Sequence, residues 1–128
     1  MDGHFVPNLT MGPDLVKAIR RCTDLELEAH LMLQNPDRYY KDFLEAGADL
    51  PLIHVESPVN TGILLKNITR EGSRYGIVIN SETPFEKVLP FLEDAALLLI
   101  MSVHPGFSGS EFHSRFCVQD SRSSLIYR

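Results

Sequence analysis

Helix-like and strand-like segments alternate four times along these 128 residues, with strand starts roughly 20 to 25 residues apart, the length of a βα unit. A strand that must cross over through a helix before the next strand pairs with it in the same direction, so the alternation dictates a parallel sheet. The first helix is expected from Pro13 through Arg21, where Leu15, Val16, Ala18 and Ile19 can share one face and Pro13 suits the first turn. Leu25 to Leu33 reads as a strand, although Glu26 and Glu28 make it alternate and leave one face able to meet water. Pro36 to Ala46 is the second helix, with Gly47 as its terminator. Leu50 to Val55 is the second strand. A helix from Asn60 to Arg70 follows, capped by Asn60 or Thr61 and closed near Gly72. Tyr75 to Asn80 is the third strand. Thr83, Pro84 and Glu86 predict a helix from Pro84 to about Leu92. Ala95 to Val103 is the last strand, continuous in its hydrophobicity as a strand covered on both faces would be. It runs into the loop Pro105-Gly106-Phe107-Ser108-Gly109.

Two α/β architectures share this order: about half of an eight-stranded (β/α)8 barrel, and an open flavodoxin-like sheet. Spacing alone leaves both open. From Arg115 onward the pattern fails, and residues 115–128 are expected to be a divergent, disordered tail behind an α/β segment spanning 1–114.

Bulk properties narrow the partners. The formal charge is −5, and no cluster of Lys and Arg stands against it, which removes the electrostatic basis for binding nucleic acid or an anionic membrane. Cys22 and Cys117 stand alone, indicating neither a disulfide framework nor a zinc ribbon. No apolar run approaches the roughly 18 residues that cross a bilayer. The expectation is a soluble, cytoplasmic protein acting on a small molecule.

Chemistry in such folds gathers at the carboxyl ends of the strands. His30 and His54 occupy equivalent strand-end positions there. Each alone reads as a hydrogen-bonded core histidine, but the pair together points to a shared site. The loop Gly106 to Ser110 offers backbone amides with few bulky side chains, as a phosphate cradle does, or forms a plain tight turn. Met1, Met32 and Met101 fall near strand ends, where methionine commonly fills gaps. His4 and His104 lie in loops within reach of a ligand, and His113 reads as exposed. Asp2 precedes a glycine and reads as a turn residue.

Five peptides in order carry a resemblance: Met1-Asp2-Gly3-His4-Phe5-Val6-Pro7-Asn8, His30-Leu31-Met32, Ala46-Gly47-Ala48-Asp49, Asn80-Ser81-Glu82-Thr83-Pro84 and Met101-Ser102-Val103-His104-Pro105-Gly106-Phe107. Over about residues 1 to 113 the chain resembles the ribulose-phosphate 3-epimerases. The resemblance implies a partial (β/α)8 TIM barrel of the ribulose-phosphate-binding type, with about strands 3 to 6 present. The activity it implies is interconversion of D-ribulose 5-phosphate and D-xylulose 5-phosphate in the pentose phosphate pathway. In the mechanism the resemblance implies, one aspartate takes the C3 proton, a divalent metal (Fe2+, Zn2+, Mn2+ or Co2+) steadies the enediolate, and a second aspartate returns a proton from the other face.

By the same resemblance His30 is a metal ligand that also approaches the substrate. Gly106, Phe107, Ser108 and Gly109 match the substrate-contacting loop, with Ser108 in place of a glycine and Ser110 in place of a glutamine. Met32 and Met101 match pocket-lining methionines. Asp2 matches a non-catalytic aspartate. The family's other metal-binding histidine and first catalytic aspartate would lie upstream of Met1, and its second catalytic aspartate belongs to a later strand. No catalytic residue is therefore assigned here, and His30 is the one metal ligand of the family's four. The expectation is a member of the family by descent whose 128 residues alone are inactive. The alternatives are a non-catalytic fragment or isoform and a relative acting on a hexulose phosphate such as allulose 6-phosphate. A sugar phosphate is the implied partner, and homo-oligomers occur in the family.

Overall fold

The computed structural model describes residues 1–106. The elements in chain order are α1 (Pro13–Arg20), β1 (Glu28–Leu31), α2 (Pro36–Glu45), β2 (Leu50–His54), α3 (Thr61–Arg70), β3 (Gly76–Ile79) and β4 (Leu97–Ile100). All strand pairs are parallel, and the spatial order is β1-β2-β3-β4. A doubly wound sheet would reverse its order at a switch point and carry helices on both faces. Here the order is sequential and the helices share a face. Val16 of α1, Tyr40 and Phe43 of α2, and Leu64, Leu65 and Ile68 of α3 join Ala29, Leu31, Ile53, Ile77 and Ile79 of the strands in one cluster. The opposite face carries a smaller apolar cluster of Leu50, Leu52 and Val78, packed with Leu97, Leu99 and Met101. This is an arc of a (β/α)8 barrel, and the smaller cluster marks its inner face.

Strand alternation then assigns the inner-facing residues: Glu28 and His30 on β1, Leu50, Leu52 and His54 on β2, Gly76 and Val78 on β3, Leu97 and Leu99 on β4. The two histidines therefore share a face. Registration sets His30 opposite Leu52, so His54 lies one inward position further along the neighbouring strand.

Local sequence explains most boundaries. Gly47 ends α2 with φ +105°, and the amides of Gly47 and Ala48 bond the carbonyls of Leu44 and Phe43 at 2.9 and 3.0 Å, a closure that L residues resist. Arg20 then ties the turn together, bonding Asp49 Oδ2 at 2.8 Å and the Gly47 carbonyl at 3.3 Å. Asn60 is the cap of α3, its Oδ1 accepting from the Ile63 amide at 3.0 Å.

Three expectations change. The strand expected from Leu25 forms only over Glu28–Leu31. The helix expected from Pro84 to Leu92 is two 3-10 turns, Phe85–Lys87 and Leu89–Phe91. Pro90 is the reason: it has no amide to donate, its ring would strike the carbonyl four residues back, and it disfavours helical geometry at Leu89. The last strand spans Leu97–Ile100 and is half-buried throughout, because among the described residues it pairs with β3 alone. The expected tail, 115–128, lies outside the described residues, as do Phe107, Ser108, Gly109, Ser110, His113 and Cys117.

Candidate active site

The amino-terminal loop closes over the carboxyl ends of the strands. Asp2 makes the expected turn, its Oδ1 accepting from the amides of His4 and Phe5 at 3.0 and 2.9 Å. Its Oδ2 accepts from the Gln34 amide at 2.7 Å, just past β1. These hydrogen bonds hold the Asp2 carboxyl below the usual range against a burial that raises it. Phe5 lays its ring against His54, with centroids 4.9 Å apart and planes at 54°. Asn8 donates from Nδ2 to the Gly106 carbonyl at 2.6 Å. One loop thus touches the exits of β1, β2 and β4.

Beneath it lies a line of polar groups that apolar strands would otherwise exclude. His30 Nε2 and His54 Nε2 are 2.8 Å apart. His54 Nδ1 is 3.2 Å from Glu56 Oε2, and Glu56 Oε1 accepts from the Asn80 amide at 2.9 Å. The His30 and His54 ring centroids are 4.9 Å apart with planes at 18°, a separation about 2 Å beyond the 2.8 Å between nitrogens. The rings therefore meet nearly edge to edge, with the shared hydrogen close to both planes. His54 is fully buried.

Burial pushes the His30 pKa down to about 4, helped by the neighbouring His54 and the amino terminus, so His30 is neutral at pH 7. Burial raises Glu56, but hydrogen bonds from His54, Thr83 and the backbone amides of Asn80 and Glu56 outweigh it and hold the carboxyl below the ordinary range. Asn80 Oδ1 is the one buried side-chain polar atom among the described residues without a hydrogen-bond partner, a cost of about 1–3 kcal/mol.

His30 also lines a cleft of about 300 Å3 with Glu28, Leu52, Leu99 and Met101. Met32 lines a second groove along β1, with His30, Met1, Met11 and Phe43. His30 thus stands between two recesses, lining one with Met101 and the other with Met32, and contacts His54. His4 stays exposed, bonding through Nδ1 to the Asp2 carbonyl at 3.0 Å, and His104 pairs with Glu82 at 3.3 Å on the surface. Sequence reasoning missed Glu56 and Asn80. The signal was present for Glu56: it follows His54 by two residues at a strand exit.

A neutral, half-buried imidazole is a suitable donor for Fe2+, Zn2+, Mn2+ or Co2+. His30 fits such an ion as one ligand. Among the described residues no group of three or more His, Cys, Asp or Glu is placed to hold a metal, so they do not complete the set. No described helix is long and apolar enough to cross a membrane.

Comparison with known proteins agrees with this geometry. The sequence model of the Ribulose-phosphate 3 epimerase family matches residues 1–123. Ribulose-phosphate 3-epimerase of Bacillus subtilis is 44% identical over 112 residues, covering 88% of this chain and 52% of the relative. That of Aquifex aeolicus is 42% identical over 115 residues, covering 90% and 52%. The chloroplastic ribulose-5-phosphate-3-epimerase of Arabidopsis thaliana is 43% identical over 114 residues, covering 88% and 41%. The chain spans about half the length of the curated relatives it matches. With a sequential parallel arc, a histidine at its carboxyl end and a family match along nearly the whole sequence, the chain belongs to the ribulose-phosphate 3-epimerase family.

Proposed function

We propose that the protein carrying this chain interconverts D-ribulose 5-phosphate and D-xylulose 5-phosphate in the cytoplasm. The observation that carries the reading is His30: neutral at pH 7, hydrogen-bonded to His54, and lining a cleft at the inner face of the arc. His30 supplies one neutral nitrogen ligand and stands beside the sugar. A divalent cation bound there supplies positive charge at the substrate oxygens that gain charge when C3 loses its proton. Phe5 and the amino-terminal loop keep water from His54. Asn8 holds the Gly106 carbonyl, at the point where the substrate-contacting segment Gly106, Phe107, Ser108 and Gly109 of this reading begins. The remaining metal ligands and the two proton-transfer carboxylates of this reading lie outside residues 1–106.

The test is steady-state conversion of D-ribulose 5-phosphate by the native protein and by His30→Ala. Loss of a metal ligand should lower kcat/KM by at least about 100-fold, the upper end of what even outer-shell changes cost. Turnover unchanged in His30→Ala would overturn the role of His30. Turnover of allulose 6-phosphate in preference to the pentulose would move the substrate to a hexulose phosphate.

A further inference from the structure

Gly106 lies beyond the reach of the sheet. The last ladder bond of β4 runs from the Met101 amide to the Ile79 carbonyl at 2.9 Å, and the chain then passes through Ser102, Val103, His104 and Pro105. The His104 pair with Glu82 is exposed on both sides, and such a pair fixes little. The amino-terminal loop supplies what β4 does not. A Cβ on Gly106 would stand 3.1 Å from Val6 Cβ, so Gly106 rests closely on a side chain that is itself buried. It does so at φ +94°, a conformation that favours glycine. Its carbonyl can only accept, and it takes a hydrogen from Asn8 Nδ2 at 2.6 Å.

This seat is tied together internally, and it belongs to the other end of the sheet. The Gly3 amide bonds the Asn8 carbonyl at 3.0 Å, the Thr10 amide bonds the Met1 carbonyl at 3.2 Å, and Asp2 and Leu9 form an antiparallel bridge. Asp2 Oδ2 pins the closed loop to the Gln34 amide at 2.7 Å, just past the strand that carries His30. Asn8 therefore connects Gly106 to β1 across the mouth of the arc, although β1 and β4 are the outermost strands of the described sheet.

We propose that Asn8 is a positioning residue: by holding the Gly106 carbonyl it sets how far the start of the substrate-contacting segment stands from His30, and so fixes the span that one substrate molecule bridges. The inference rests on the function proposed above, which sets the substrate against both His30 and Gly106. Such a span matters because a contact misplaced by about 1 Å can cost about 100-fold in rate.

Two substitutions separate the donor from the bulk of the side chain. Asn8→Asp keeps the shape but turns an acceptor toward the Gly106 carbonyl, whereas Asn8→Ala leaves that carbonyl to water. The experiment is steady-state conversion of D-ribulose 5-phosphate by the native protein and both variants, with urea unfolding to show that each is folded. KM should rise by about 10-fold in Asn8→Asp, roughly the worth of one hydrogen bond, and by less in Asn8→Ala, with kcat falling by less than KM rises. A side chain that merely packs predicts the reverse order, since alanine loses more contact. That reverse order would overturn the inference, and so would an unchanged KM in either folded variant. Failure of the native protein to turn over the sugar phosphate would instead overturn the proposed function, and the inference with it.

Discussion

Acidification should destabilise this fold before its carboxylates begin to titrate, and His30 sets the amount. In the fold its pKa is about 4 against a free value of 6.5. Above pH 6.5 neither state binds a proton there, and stability is flat. Below 6.5 the unfolded chain takes up a proton that the folded chain refuses, so stability falls with pH until the folded pKa is reached. At about 1.4 kcal/mol per pH unit, the loss between pH 7 and 5 is about 2 kcal/mol, growing to about 3 by pH 4. Glu56 adds loss in the same direction, but only as pH falls below its unfolded value of 4.5, so the interval from 6.5 to 5 isolates the imidazole. Urea unfolding at pH 7, 6 and 5, followed by circular dichroism, measures it. Subtracting the same series for His30→Gln should remove about 2 kcal/mol of pH dependence. A wild type and variant that lose stability in parallel over that interval would refute the burial of a neutral His30.

Three further outcomes follow from packing. Gly76→Ala places a Cβ 2.3 Å from Leu52 Cδ2 on the crowded inner face, and should cost about 1–3 kcal/mol in urea unfolding. Gly47→Ala must hold φ +105° and meets Arg20 Cγ at 2.7 Å, so a loss of about 1–3 kcal/mol is expected by thermal or urea denaturation. Asn60→Ala removes the α3 cap and should lower stability by about 1 kcal/mol, while Asn60→Asp should restore most of it.

Much of the architecture was legible because the βα rhythm and the punctuation agree. Gly47 and Asn60 do what their positions promise, since each answers a local backbone need. The choice between barrel and open sheet was not local. It depends on strand order and on which face the helices share, and periodicity carries neither. Pro90 stands inside the segment that Thr83 and Pro84 mark as a helix, and its missing amide decides the outcome. The unbroken hydrophobicity of β4 suggested cover on both faces, whereas its half-burial follows from having one strand neighbour among the described residues. The site was legible in part. Equivalent strand-end positions pointed to a shared site for His30 and His54, and the fold sets their Nε2 atoms 2.8 Å apart. The place of Glu56 in the polar line depends on the Asn80 amide beside it, a contact between residues 24 apart that only the sheet brings together.

The proposed reaction is proton exchange at one carbon of a pentulose phosphate. Its most direct test is incubation of D-ribulose 5-phosphate with the native protein in deuterated water, followed by proton NMR of both sugar phosphates. Deuterium at C3, appearing with D-xylulose 5-phosphate, is the predicted result. Protium retained at C3, or deuterium placed at C1 instead, would contradict it.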